Sequence, residues 1–322
     1  MDEAATLAPA LDFVRPDVRA MLDARNAQGA PDLSELPLAE ARGMFAVMGP
    51  LVEAPPRPLA RIADLSCPGP AGPIPLRLYD ARERREPSPV VLFMHGGGFV
   101  IGDLESHHAL CTEIAASLDL PVVAVDYRLA PEHPFPAAPD DCEAAARWLA
   151  GAPAEIEFTP TGIVTMGDSA GGNLTLVVTR ALMAAPAKVP VVLQVPIYPV
   201  ADDISDHESF RKFAEGHVLS SKAMIWFDEA YRAPVGHERY HVTHLDHDGT
   251  PPSIVVTASL DPLRDSGRGY AAALAKAGCD VTFLEMRGTV HGFVNMRLAL
   301  PSAQLDLARI LAAVTLHLGR AG

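Results

Sequence analysis

Beyond residue 75, short and continuous apolar runs punctuate the chain at 76–79, 90–94, 122–125, 163–166, 191–195, 254–257 and 281–284. Most show no polar alternation, which predicts strands buried on both faces of a largely parallel sheet. Between them, the stretches 105–118, 140–151, 171–185, 264–277 and 302–318 carry apolar positions at helical spacing. This βαβ rhythm predicts an α/β protein built on one central sheet. The rhythm breaks from residue 201 to 247, where no strand pattern occurs. There a helix is expected after Ser220-Ser221, with Met224, Phe227 and Tyr231 on one face, and the interval reads as an insertion over the top of the sheet.

The first 60 residues have a different period. Val18, Met21 and Leu22 share one helical face after Pro16 and Asp17, and Leu38, Ala41, Phe45 and Met48 form a second set after Pro37. Two amphipathic helices follow from that spacing, free on these grounds to cover a core, to dimerise or to roof a pocket. Pro55, Pro56 and Pro58 then mark a linker into the main body.

Composition narrows the function classes. The 322 residues include 40 acidic and 26 basic side chains, for a formal net charge of −14, and 49% are apolar. Such a chain can bury a large core, and its charge disfavours nucleic acid and anionic membranes as partners. The start Met1-Asp2-Glu3-Ala4 lacks a basic stretch followed by an apolar one, and no uncharged apolar run approaches membrane-spanning length, so a soluble cytoplasmic protein is expected. Cys67, Cys111, Cys142 and Cys279 are scattered without a CxxC pair and are expected to be reduced core thiols.

Candidate chemistry falls at strand ends. The run at 162–166 leads into Gly167-Asp168-Ser169-Ala170-Gly171, a Gly-x-Ser-x-Gly corner at which small neighbours let the chain turn sharply and expose the Ser169 hydroxyl. Alone, this pattern turns up by chance in roughly one chain of this composition in ten. The run ending at Met94 leads into His95-Gly96-Gly97-Gly98-Phe99, whose glycines leave backbone N–H groups uncovered for a developing oxyanion. A phosphate loop does not fit, because G-x-G-x-x-G counted from Gly96 meets Ile101 and no Gly-Lys-Ser/Thr follows. A nucleophilic serine in this setting needs an acid and then a histidine later in the chain. Asp261 and Asp265 follow the run at 254–257, and His291 follows the last strand. Asp261 is nearer its strand end and is the expected orienting acid, while Asp265 is placed to cap the next helix or pair with Arg264.

These blocks, with Tyr127-Arg-Leu-Ala-Pro-Glu-His-Pro-Phe-Pro136 and His291-Gly-Phe293, resemble the bacterial branch of the hormone-sensitive lipase family of esterases (family IV). The resemblance implies an α/β-hydrolase fold, with a mostly parallel central sheet of about eight strands flanked by helices, under a helical cap. It implies Ser169 as nucleophile, His291 as general base, Asp261 as orienting acid, and Gly97, Gly98 and Ala170 as oxyanion donors. It also implies a division into cap helices over 1–55, the catalytic domain over 56–200 and 248–322, and a cap insertion over 201–247. The expected activity is hydrolysis of short- to medium-chain acyl esters through an acyl-enzyme, with no metal or organic cofactor. The alternatives are an amidase or deacetylase on small acylated molecules, or a non-catalytic ligand-binding protein on the same scaffold. A small-molecule ester is the expected partner, with a homodimer through residues 281–284 if that strand is an edge.

Other polar residues receive plainer expectations. His241, His244 and His247 recur in steps of three but lie beside Pro251-Pro252 in a loop, and are expected to be solvated or capping. His107 and His108 are expected at the surface or at a helix start, and Asp140 and Asp141 in a helix first turn complementing its dipole. Glu132 is expected to buttress the serine turn.

Overall fold

The computed structural model describes residues 13–29 and 31–320; the start Met1-Asp2-Glu3-Ala4 and the rest of the first twelve residues lie outside them. In chain order the elements are α1 (Pro16–Gln28), α2 (Leu38–Val52), β1 (Arg61–Gly69), β2 (Gly72–Asp80), β3 (Ser88–Met94), α3 (His108–Leu118), β4 (Val122–Val125), α4 (Ala137–Ala150), β5 (Pro160–Asp168), α5 (Ala170–Ala184), β6 (Val191–Ile197), α6 (Glu208–Lys212), α7 (Ser221–Tyr231), β7 (Ser253–Leu260), α8 (Arg264–Lys276), β8 (Val281–Val290) and α9 (Pro301–Arg320). The strands form one eight-stranded sheet in the order β1-β2-β4-β3-β5-β6-β7-β8. Only β1–β2 and β2–β4 pair antiparallel; every other neighbour is parallel.

The continuous apolar runs have a direct cause in this sheet. Successive strand residues point to opposite faces, and both faces are covered. Val91 and Phe93 of β3 pack with α3 and α9, whereas Val90, Leu92 and Met94 pack with α4 and α5. A strand sandwiched this way has no solvent face on which to place polar residues.

Two strands depart from the expected pattern for the same reason in reverse. β1 lay outside the predicted runs because it is an edge paired only to β2, with exposed positions alternating along it. β8 extends well past residue 284, since Glu285 and Arg287 break its apolar run. Glu285 is satisfied from outside the strand, as Arg268 on α8 donates to it through Nε at 2.7 Å and through Nη2 at 2.8 Å.

The N-terminal helices form as expected and are tied to the body. Arg15 pairs with Asp306 of α9 and its amide donates to the Gly288 carbonyl in β8, while Asp17 accepts from the Ser302 amide at 2.8 Å. Val18 and Leu22 are thereby buried. From α2, Arg42 donates through Nε to Val100 O at 2.9 Å and through both terminal nitrogens to Glu132 at 2.7 and 2.8 Å. Glu132 is therefore a surface partner of α2 and does not touch the serine turn; its negative charge is held by this exposed guanidinium. No strand interrupts 201–247, which contains α6 and α7. Among the described residues no helix is long and apolar enough to cross a membrane, and all four cysteines are free, with Cys67, Cys111 and Cys142 buried.

Candidate active site

β5 delivers Ser169 at its C-terminal end, one residue before α5. Ser169 adopts φ +56° and ψ −117°, outside the regions open to ordinary side chains without strain, and the local sequence makes that backbone reachable. A Cβ at Gly167 or at Gly171 would collide with the Met94 carbonyl of β3, so the turn closes against the neighbouring strand only with glycine on both sides. The hydroxyl projects from a half-buried position, and α5 begins at Ala170 with its N-terminal amides and positive dipole end beside it.

β7 and β8 bring in the partners. His291 Nε2 lies 2.9 Å from Ser169 Oγ, and His291 Nδ1 lies 2.8 Å from Asp261 Oδ2. Asp261 is fully buried and its other oxygen accepts from the Leu263 amide at 2.8 Å, so the carboxylate cannot swing away. An ionised carboxylate only accepts, which assigns the hydrogen to Nδ1 and leaves Nε2 as an acceptor for the serine proton. Asp265 turns elsewhere: it accepts from Arg264 Nε at 2.8 Å and from the Ser209 amide at 2.9 Å.

Behind Ser169, β3 ends in the glycine loop. Gly97 has φ +115° and Gly98 φ +60°, backbone that a Cβ would strain. Val100 N and Ile101 N both donate to Gly97 O, closing the loop into a tight turn, while the Gly97 and Gly98 amides find no acceptor among the described loops and side chains. Gly98, Ser169 and Ala170 line one cavity of 380 Å³; Gly97 stands one residue behind its wall.

The roof of that cavity comes from 200–241. Ile204, Phe210, Leu219, Met224, Phe227 and Val235 supply apolar lining, with Asp202, Asp203, Asp228, Glu229 and His241 among the polar members and no Lys or Arg. Neither α1 nor α2 contributes a lining residue, so the expected share of the N-terminal helices in the roof is indirect. The 3-10 turn Leu33–Glu35 packs on α7, and Ser220 at the start of α7 bonds Asp32 just before that turn.

Of the histidines outside this relay, His107 and His108 open α3 as expected, but the solvent positions expected of His241 and His247, together with that of His107, need revision. His107 is buried, with its Nε2 3.1 Å from Asp168 Oδ1. His247 is buried too, with Nε2 at 3.0 Å from Thr243 O, while His244 is exposed and His241 is half-buried beside the Gly236 amide. These three do not converge on a common point, and among the described residues no cluster of three His, Cys, Asp or Glu is placed to hold a metal. Asp140 does sit in the first turn of α4, paired to Arg239, but Asp141 is buried and takes both Nε and Nη2 of Arg128 at 2.8 Å. The sequence reading passed over Asp168, although an acid next to a nucleophile in an apolar strand was the available signal.

A mostly parallel, helix-flanked sheet of this order, with a strained serine after its fifth strand and a histidine and acid after its eighth and seventh, defines an α/β hydrolase. The comparison with known families agrees: residues 91–295 match the alpha/beta hydrolase fold family, and the chain belongs to it. It is 37% identical over 283 residues to esterase LipI of Mycobacterium tuberculosis, covering 83% of this chain and 86% of that protein. To ethyl acetate hydrolase of Pseudomonas putida it is 32% identical over 323 residues, covering 95% of this chain and 99% of the other. Among solved structures, an ester hydrolase from the metagenome of Lake Arreo, complexed with a bipyridine phosphonate derivative, superposes with a TM-score of 0.89 at 36% identity, over 95% of this chain and 100% of that one. The chain is thus a carboxylic ester hydrolase of the hormone-sensitive-lipase type.

Proposed function

We propose that Ser169, His291 and Asp261 carry the hydrolysis, on short- to medium-chain acyl esters of small alcohols. The observation that supports this most directly is the unbroken relay of 2.9 and 2.8 Å contacts ending at a strained serine on the floor of an apolar cavity. Ser169 Oγ adds to the ester carbonyl carbon as its proton passes to His291 Nε2, and the carbonyl electrons become an oxyanion facing the amides of Gly97, Gly98 and Ala170. Collapse expels the alcohol, which takes the proton from His291. Water then repeats the two steps on the acyl-enzyme and releases the acid, while Asp261 holds the imidazole tautomer and offsets its transient charge. The Gly97 and Gly98 amides sit on a preformed loop and that of Ala170 at the start of α5, so little reorganisation is needed as the oxyanion forms.

The cavity size supports the chain-length reading. A cavity of 380 Å³ lies toward the small end of small-molecule sites, which favours a short acyl ester. The 201–247 insertion acts as the cap in this reading, and the N-terminal helices brace it. β8 is an edge of the sheet, with Phe283 exposed, which supports a homodimer across that edge. The free buried cysteines and acidic surface favour a cytoplasmic setting.

Ser169→Ala is the direct test. The variant should fold with an unchanged melting temperature and lose p-nitrophenyl butyrate hydrolysis; activity within tenfold of the parent contradicts the assignment.

A further inference from the structure

Asp168 has no part in the relay, yet it is buried at the centre of it. The Gly96 amide donates to its Oδ1 at 2.9 Å, Asn295 Nδ2 to its Oδ2 at 3.4 Å, and the Tyr198 hydroxyl to the same oxygen at 3.5 Å. His107 stands beside Oδ1 at 3.1 Å, and its other ring nitrogen is 3.0 Å from Ser106 Oγ. Each contact reaches a segment with a separate duty. Gly96 opens the glycine loop, Asn295 lies four residues beyond His291, Tyr198 packs its ring 4.5 Å from the imidazole of His291, and Asp168 itself precedes Ser169.

The glycine loop carries a mark of this arrangement. Gly97 and Gly98 need positive φ, but Gly96 does not. A Cβ at Gly96 would instead lie 2.5 Å from Asp168 Oδ2 and 2.9 Å from its carbonyl oxygen. The first glycine of the three is therefore there to let the carboxylate approach. Burial pushes the Asp168 carboxyl upward, but the adjoining His107 ring and the Gly96 amide outweigh it and hold the group below the ordinary range. A permanent anion next to an oxyanion site opposes the reaction electrostatically, so its retention calls for a compensating gain.

We infer that Asp168 is a positioning residue that fastens the oxyanion loop and the His291 loop to the nucleophile turn, with the buried His107 as its counter-group. This rests on the roles given above to Ser169, His291 and the glycine loop. Asp168 acts through Gly96: it sets where the amides of Gly97 and Gly98 stand relative to Ser169 Oγ.

Asp168→Asn keeps size and one acceptor, but places an NH2 group against the donors of Tyr198 and Asn295, or against the Gly96 amide if flipped. The expected result is a drop in kcat of about 10², the penalty of a misplacement near 1 Å, with KM within threefold of the parent. Affinity for an aryl trifluoromethyl ketone should fall by the same factor as kcat. In that adduct Ser169 Oγ bonds the ketone carbon, the proton moves to His291 and the carbonyl electrons form an oxyanion, so it reports the loop position without turnover. His107→Gln, which retains a side-chain N–H donor, should lose less than tenfold in kcat, whereas His107→Leu should approach Asp168→Asn. An Asp168→Asn enzyme with kcat within threefold, or one that loses kcat while binding the ketone unchanged, overturns the inference. Ser169→Ala measured alongside separates the two levels, because full activity there removes the catalytic assignment whatever Asp168→Asn does.

Discussion

Replacing Asp261 with Asn tests the relay where the geometry makes the strongest demand. The carboxylate is fully buried and held by the Leu263 amide on one oxygen and His291 Nδ1 on the other. Asn fits the same space. Its oxygen can accept from the Leu263 amide, which turns the NH2 group toward His291, and two donors cannot face each other across 2.8 Å. The imidazole must then carry its hydrogen on Nε2, where it donates to Ser169 Oγ and can no longer take the serine proton. A tautomer error of this kind costs about 10⁴ in kcat, equivalent to about 5 kcal/mol of activation free energy. Asp265→Asn is the matched control, only four residues away. Asp265 contacts Arg264, Arg268 and the Ser209 amide, none of which touches His291. Its neutralisation should cost about 1 kcal/mol of stability and leave kcat within threefold. Steady-state kinetics on p-nitrophenyl butyrate together with thermal melts separate the two variants. A larger loss of kcat at Asp265 than at Asp261 refutes the reasoning outright.

Three further outcomes follow from the same site. Gly98→Ala combines a strained φ with a methyl driven into the Phe227 ring of α7, so kcat/KM should fall about 10²-fold and the optimum acyl length should shift; an unchanged chain-length profile shows that Phe227 does not bound the acyl site. The cavity carries four carboxylates and no Lys or Arg, and local hydrogen bonds to Ser205 hold Asp203 below the ordinary carboxylate range. Repulsions of about 1 kcal/mol each should make an ester bearing a free carboxylate, such as monoethyl succinate, at least tenfold poorer in kcat/KM than neutral ethyl butyrate, and equal values would dismiss the effect. His95 is buried, which with the nearby His107 lowers its pKa from 6.5 to about 4. Unfolded chains therefore take up that proton at higher pH than folded ones, so stability should fall by about 3 kcal/mol between pH 6.5 and 4, and a His95 ring resonance titrating near 6.5 is the contrary result.

What could be read from the chain was set by what hydrophobic periodicity reports. A run such as Val90 to Met94 is apolar throughout because helices cover both faces of β3, and that fact is local to the strand. β1 and the second half of β8 escaped notice because each meets solvent or an ion pair on one side, which dilutes the run without preventing pairing. Asp261 was legible for a related reason: distance from a strand end is a sequence quantity, and in a parallel sheet it fixes height above the sheet edge. The part of α1 and α2 was not, since an amphipathic helix declares that it has a buried face and is silent on what lies against it. Their apolar faces went to the flanks of the sheet, and the cavity lining went to 200–241.

Buried polar residues were the least legible, and the reason is physical. His107, Asp141, Asp168 and His247 carry the same letters as surface residues, and each is buried against a particular partner: Asp168 for His107, Arg128 for Asp141 and the Thr243 carbonyl for His247. The partners of Asp168 are 61, 72 and 127 residues away at His107, Gly96 and Asn295. A buried charge without such partners would be expelled or neutralised, so its presence is itself a record of contacts that periodicity cannot see. The one trace left in the sequence is Gly96, a glycine whose φ needs no glycine. In a Gly-Gly-Gly run that residue looks redundant, and the space it leaves for a carboxylate 72 positions later becomes visible only when β3 and β5 lie side by side.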